Sequence, residues 1–491
     1  MGRMGWVDAV SVAGFACLLA TLLLYSAAAM PFQRFANLPD FVATLGYALR
    51  AGVVAGVVGA LAAGLGAGGV LGYAAVRVFF TLAFVVGNAS FCTMALGGAW
   101  PECTFWPIGI CIGVGCLGEL LAWGRILARY NLRQATGVVA ASAVLAALVG
   151  WAQLHVGEVA AVALFVLCTL ACAVLPFAFA PFRDERACGA TAVPGRLRGF
   201  LEMTFVPGVG LALFAMLMAV RGELFFESYS EYVVIQVVVA LLLLVCMLFP
   251  ASTPLLRAVY RGLIPMLSVA MLMFNYFSES LMGGSTFELT FVLVLYTVAA
   301  LLTLSTLVGM AHAAEYPTDL VVCVAVALFC FVTVFTQVGC ASIGADPAQV
   351  RMLIVVTSGL YAAGMVVYAL WRGLRADHEG FVAGEDLEGS RGAGLASPSA
   401  AAILEDASAP NASDVLLGEA SIEARCDELA RTYGLTARER EVLGFLAHGH
   451  NGVYIGEELV ISPNTVRTHI HNIYRKLDVT SREDILRLVR E

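Results

Sequence analysis

Lysine is all but missing from this 491-residue chain: Lys476 is the only one, and the other 27 strongly basic residues are arginines. A phosphoacceptor receiver domain needs a lysine beside its acidic pocket, so none is present. No G-x-x-x-x-G-K-[ST] run occurs, which excludes a nucleotide-binding ATPase of that type. Charged residues make up only 13% of the chain. The 13 cysteines form no C-x-x-C pair and no His-Cys cluster of metal spacing. Cys168 and Cys172 share a helix face and read as small packed apolar groups. No cofactor, metal site or ordered nucleophile–base pair is indicated, and the chain is not read as an enzyme.

What is abundant is apolar sequence, 60% of residues. It is arranged in runs long enough to cross about 30 Å of hydrocarbon rather than as one soluble core. Twelve candidate spans follow: 7–29, 41–63, 69–91, 105–124, 135–154, 158–180, 205–220, 231–250, 260–277, 289–311, 319–339 and 350–371. The first is read as an uncleaved membrane helix, because its apolar stretch is long for a signal peptide and its basic flank is only Arg3. Arginines gather after spans four (Arg125, Arg129, Arg133), six (Arg183, Arg186, Arg196, Arg198), eight (Arg257, Arg261) and twelve (Arg372, Arg375). The alternate loops carry Glu223, Glu227, Glu231, Glu279 and Glu288 instead, which places both termini in the cytoplasm. The loop with His312, Glu315 and Asp319 breaks the pattern.

The segment 181–204 divides the membrane part into six spans plus six, a layout that resembles major facilitator transporters. Those transporters usually carry a charged, glycine-rich motif between spans two and three. Here Ala62 to Gly72 holds no charge, which puts active transport in doubt. Arg50 and Arg77 are the clearest ionisable residues inside spans, with Asn88, Asn275 and Gln337 as neutral companions. Such residues are costly in hydrocarbon, and the five are candidate contacts for an anionic or phenolic small ligand. The alternative is that each arginine snorkels or bonds to a neighbouring helix.

After residue 372 the composition turns to Gly, Ala, Ser, Pro and acids. Residues 373–420 are read as a disordered linker reaching on the order of 40 Å root-mean-square, with a helix resuming near Glu419. Residues 421–491 then show helical punctuation. Thr436 with Glu439 has capping-box spacing ahead of Val442, Leu443 and Leu446. Gly449 and Gly452 bracket a break, and a short helix carries Ile455 and Leu459. Ser462-Pro463 opens a third helix with an apolar stripe of Val466, Ile470, Ile473, Tyr474 and Leu477. Ser481 and Asp484 mark the start of a fourth. No acid occurs from Leu459 through Leu477, which suits one helix lying against phosphates.

Leu435-Thr-x-Arg-Glu-x-Glu-Val-Leu443, Ile461-Ser-x-x-Thr-Val-Arg-x-His469 and Asn472-Ile-x-x-Lys-Leu-x-Val-x-Ser-Arg482 stand in order. This segment is similar to the LuxR-type (GerE/NarL-like) DNA-binding domain over about 11% of the chain. The resemblance implies a four-helix domain whose third helix enters the major groove and whose fourth pairs in a homodimer on double-stranded promoter DNA. By position, Arg467, Thr468 and His471 would reach base edges, with Asn472 on the same exposed side, while Thr465, Arg475 and Lys476 would hold the backbone. His469 reads as structural. One stretch departs: Asn451-Gly-Val-Tyr-Ile-Gly456 stands where the family has Ser-Asn-Lys-Glu-Ile-Ala, which removes a lysine and puts Gly456 at a helix crossing.

The expectation is therefore an all-α protein: a membrane-embedded sensor domain (1–372), the linker (373–420) and a helix-turn-helix domain (421–491). It would lie in the inner (plasma) membrane and act as a one-component transcriptional regulator of a small ligand. A secondary transporter with an autoregulatory or vestigial tail is the alternative.

Overall fold

The computed structural model describes residues 6–22, 38–65, 74–97, 100–178, 197–224, 229–248, 286–313 and 316–344, a few positions between 349 and 367, and 412–490 apart from 451, 462, 480 and 481. The described residues are helical, with no strand, and divide into two compact units, residues 1–363 and 364–491.

In the first unit the helices are α1 (Trp6–Thr21), α2 (Leu38–Gly64), α3 (Ala74–Gly97), α4 (Phe105–Leu127), α5 (Leu132–His155), α6 (Glu158–Ala178), α7 (Leu197–Leu224), α8 (Tyr229–Leu248), α9 (Thr286–Ala313) and α10 (Thr318–Ile343). Each falls on one of the expected spans. The spans expected at 260–277 and, but for a few positions, 350–371 lie outside the described residues. Six of the helices, α2 to α6 and α10, are long and apolar enough to cross a membrane. Their outward faces are apolar, as with Val54, Val58 and Leu61 on α2, Phe79, Leu82 and Val86 on α3, and Leu167 and Val174 on α6. Apolar faces of this extent would aggregate in water and suit lipid.

Helix α4 lies at the centre of the described bundle, packed against α1, α2, α3, α6, α9 and α10. Glycines on two opposite sides let its backbone approach its neighbours. A Cβ at Gly109 would stand 2.6 Å from the Thr44 carbonyl oxygen of α2, and one at Gly113 would strike the Ala48 carbonyl. On the other side Gly115 and Gly118 lie directly on Phe84 and Phe80 of α3. These pairings make α2 run parallel to α4 and α3 antiparallel to it. Gly52, Gly56 and Gly59 similarly seat α2 on Cys330, Ala327 and Cys323 of α10. Such small-residue spacing drives close helix association where apolar burial alone gives no preference between helices and lipid.

Helix α6 contains Pro176. Proline has no N–H, so the Cys172 carbonyl four residues earlier loses its helical donor. The buried Trp123 indole of α4 supplies the replacement, Nε1 donating to that oxygen at 3.0 Å. Gly14 of α1 leaves room for the Trp123 ring, which any Cβ there would strike.

Polar ties collect at one end of the unit. Arg125 makes a bidentate pair with Asp319 at 2.9 and 2.7 Å, and Tyr130 donates to Asp8 at 2.8 Å. His312 Nδ1 lies 2.8 Å from the Ala128 carbonyl. Asp319 thus sits with an arginine-rich end because it neutralises Arg125, which is why its loop broke the charge pattern. An Asn131–Gln134 capping box makes the tight turn into α5.

The second unit comprises α11 (Ala412–Thr432), α12 (Ala437–Ala447), α13 (Gly452–Leu459), α14 (Pro463–Leu477) and α15 (Arg482–Arg490). Helix α11 begins at Ala412, ahead of the expected Glu419. The linker expected over 373–420 is therefore helical in its last nine positions, and 373–411 lies outside the described residues. Val415, Leu416 and Leu417 extend the apolar pattern that the acidic composition had masked. Around one core, α12 packs against α11, α14 and α15, and α13 against α14. Cys426, Leu429, Val442, Leu443, Leu446, Ile455, Val466, Ile473, Leu477, Ile485 and Val489 are buried there.

Candidate functional site

Of the polar residues expected to contact a ligand in the first unit, Arg50 and Arg77 lie apart. Reading register through α4, Arg50 lies level with about residue 115 and Arg77 with about residue 122, a depth difference of roughly 10 Å. They also occupy opposite sides of α4, since α2 uses its Gly109/Gly113 face and α3 its Gly115/Gly118 face. Arg50 is exposed beside Tyr47, its guanidinium 5.5 Å from the ring centre. Arg77 instead stacks on Phe177 of α6 at 4.2 Å. Asn88 is buried, and its amide donates to the Phe84 carbonyl of its own helix at 2.8 Å. Gln337 is half-buried on α10, and Asn275 lies outside the described residues.

Glu119 was missed, although a lone acid inside span four is visible in the sequence. It is buried on α4 and accepts a 2.8 Å hydrogen bond from Thr81 of α3. Arg77 lies one helical turn before Thr81, within electrostatic reach of that carboxyl. Glu119 and Arg125 are the charged groups that act on Arg77.

The second unit builds a more coherent face. Thr436 caps α12: its hydroxyl accepts from the Glu439 amide at 3.2 Å, and Glu439 Oε2 accepts from the Thr436 amide at 2.8 Å. The expected capping box is thus present. Gly449, at φ 84°, makes the break after α12, a conformation that glycine adopts without strain. Helix α13 then carries Ile455 and Leu459 into the core. Ser462 and Ser481, expected as caps, lie outside the described residues.

Helix α14 buries Val466, Ile473 and Leu477, while Ile470 and Tyr474 are half-buried. That stripe turns Arg467, Thr468, His471 and Arg475 to the exposed side. Spaced i, i+1, i+4 and i+8, they fall within about a third of the helix circumference. Thr465 and Asn472 are half-buried on the flank, and Asn472 Oδ1 accepts from Arg475 at 3.3 Å. His469 is half-buried beside the stripe.

Lys476 lies differently from its exposed neighbours. It is on the flank of α14 and reaches back to α12, its ammonium donating to Glu439 Oε2 at 2.7 Å and to the Gly434 carbonyl at 3.0 Å. Burial would raise the Glu439 carboxyl. Hydrogen bonding from Lys476 and Thr436 outweighs it and holds the group below the usual carboxylate range. An ammonium has three donors, so two of the three on the chain's sole lysine lock the recognition helix to the cap of α12.

The departing stretch has its own geometry. A Cβ at Gly456 would come within 3.2 Å of the Ile461 carbonyl oxygen, so the glycine accommodates a close crossing. Tyr454 stacks face to face on His450, ring centres 3.8 Å apart and planes 4° from parallel, with Phe445 alongside at 5.9 and 6.1 Å.

Four short helices around a shared core, with one basic, exposed third helix, are the parts of a major-groove reader. Residues 434–489 match the family model for bacterial regulatory proteins of the luxR family, GerE. The C-terminal part of this chain is a helix-turn-helix DNA-binding domain of the LuxR family, and it serves transcription regulation.

Proposed function

We propose that this protein is a membrane-bound one-component transcriptional regulator: the bundle senses a small ligand and the C-terminal domain binds promoter DNA as a homodimer. The observation that carries the reading is the union, in one chain, of membrane-capable helices with a DNA-binding domain whose recognition helix is solvent-exposed. In this reading Arg467, Thr468 and His471 contact base edges. Thr465, Asn472 and Arg475 position the helix on phosphates, and Lys476 chiefly holds α14 in place. Both termini are cytoplasmic, where the DNA is.

Twelve spans in two six-helix repeats fit the helix contacts. Numbered as spans, α9 is the tenth and α10 the eleventh. Exchanging the two halves turns the α2–α10 contact into α8–α5 and α1–α5 into α7–α10. The same exchange turns α2–α4 into α8–α9 and α4–α10 into α9–α5, and all eight contacts occur. Repeats of this kind are able to rock against one another. A ligand preferring one arrangement would shift the population, and the tails would respond by pairing at high local concentration. A transcript comparison between wild type and a deletion of residues 421–491, across candidate ligands, tests the proposal. Loss of ligand-dependent transcripts supports it, and identical transcript profiles would remove it.

A further inference from the structure

Arginine grips a carboxylate side-on through Nε and one Nη, and Arg125 shows the geometry: its Nε and Nη2 donate to the two carboxylate oxygens of Asp319. The same two atoms of Arg77 are buried and, among the described residues, donate to nothing. Glu119 has the matching deficit. The residue is 1% exposed, its Oε1 accepts from Thr81, and its Oε2 is buried without a donor among the described residues. Buried polar atoms are nearly always paired, so this coincidence of an unmet fork and an unmet oxygen calls for a reason. The two side chains share one seam. Phe80 lies directly on Gly118 and Thr81 bonds to Glu119, so the residues three and four places after Arg77 both meet α4. Positions at that spacing stand about 5–6 Å apart on a helix face, within the length of an arginine side chain. The guanidinium is turned to α6 instead, over the Phe177 ring at 4.2 Å.

We propose that Arg77 and Glu119 are the two halves of a latch: the guanidinium exchanges the Phe177 ring for the Glu119 carboxylate, and the last turn of α6 then comes away from α3. Phe177 stands just past Pro176, in that last turn. One turn earlier the Trp123 bond to the Cys172 carbonyl holds α6 on α4. The helix thus has a fixed point, a proline that breaks its ladder, and beyond it a turn that carries the ring. In the stacked arrangement Arg77 ties α3 to α6 and leaves the carboxylate to Thr81. In the paired arrangement the side-on fork and Oε2 satisfy one another and the tie to α6 is released. Each arrangement makes the contact that the other gives up, which is the condition for two discrete states. Residues 179–196 connect the end of α6 to α7, so the release falls at the joint between the two proposed six-span halves. The latch concerns the bundle alone, and its use in signalling rests on the ligand-sensing reading.

Full-length protein in lipid nanodiscs, followed by hydrogen–deuterium exchange of the peptides that cover the end of α6, provides the test. Glu119→Gln keeps the acceptor for Thr81 and removes the charge that draws Arg77 away. We expect it to slow exchange at the end of α6 about three- to ten-fold, because the stack on Phe177 is then held throughout. Arg77→Gln loses both arrangements, so exchange there rises, and adding Glu119→Gln changes nothing further. A buried carboxyl that serves packing alone gives the opposite sign, since its replacement loosens the seam. Unchanged or faster exchange in Glu119→Gln would therefore overturn the latch, as would slowing that persists in the Arg77→Gln background. Thr81→Val carries the test if Glu119→Gln does not accumulate. It frees the carboxylate for Arg77, so exchange at the end of α6 rises about three-fold or more, and the rise disappears in the Arg77→Gln background. No rise, or an equal rise in both backgrounds, would overturn the latch. No ligand or DNA enters the measurement, so its failure leaves the regulator reading standing, and failure of the transcript comparison leaves the latch standing.

Discussion

Replacing Lys476 with methionine keeps most of the side chain's apolar stem and removes its charge. Glu439 is then left almost wholly buried, its side chain 5% exposed, with its carboxylate still accepting from the Thr436 amide. Removing one partner of a fully buried ion pair costs about 3–5 kcal/mol. Lys476 is 28% exposed, so solvent already screens part of the attraction and a loss of about 1–3 kcal/mol is expected. Urea unfolding of a fragment spanning residues 412–491 measures it, with Glu439→Gln and the double variant completing a cycle that isolates the coupling. The pH dependence has a definite sign. Because the folded state holds the Glu439 carboxyl below its usual range, its stabilising contribution is present above the unfolded value of about 4.3. It is lost as pH falls through the lower folded value. Lys476→Met should therefore lie below wild type at neutral pH and approach it in acid. Equal urea midpoints at pH 7, combined with weakened DNA binding, would refute the structural role and make Lys476 a simple phosphate contact.

Arg467→Ala should abolish discrimination between a cognate site and random DNA, a difference of roughly 1–3 kcal/mol in a competition binding assay. Gly113→Leu drives a side chain into the Ala48 carbonyl; overpacking of this kind costs about 1–3 kcal/mol or more and should lower the melting temperature in detergent or prevent accumulation. Trp123→Phe leaves the Cys172 carbonyl without its donor, a cost of about 1–3 kcal/mol read by the same melting assay. If signalling works by pairing of tails, deleting residues 388–397 should leave a ligand-responsive reporter nearly intact, and loss of response would require a rigid connection instead.

Local chemistry was the legible part. The Thr436–Glu439 spacing gave the cap, the 466–477 pattern gave the buried stripe and, by exclusion, the exposed basic face, and apolar run lengths gave the helices of the first unit. Long-range pairing was not legible. Lys476 and Glu439 are 37 residues apart, and nothing in the sequence distinguishes a lysine bound to its own fold from one awaiting phosphate. Arg50 and Arg77 stand on adjacent spans, and that adjacency gives neither their relative depth nor the side of α4 each takes. Their separation follows from which faces of α4 hold glycine, and the Gly109-x-x-x-Gly113 and Gly52-x-x-x-Gly56 spacings were visible signals of that packing.

Chromatin occupancy by the full-length protein, cross-linked in growing cells and recovered from the membrane fraction, tests the central claim most directly. Discrete promoter sites that vanish in an Arg467→Ala strain, while the protein stays in the membrane fraction, are the predicted result. Occupancy indistinguishable from background in wild-type cells under every growth condition tried, or occupancy carried only by a soluble C-terminal fragment, would contradict it.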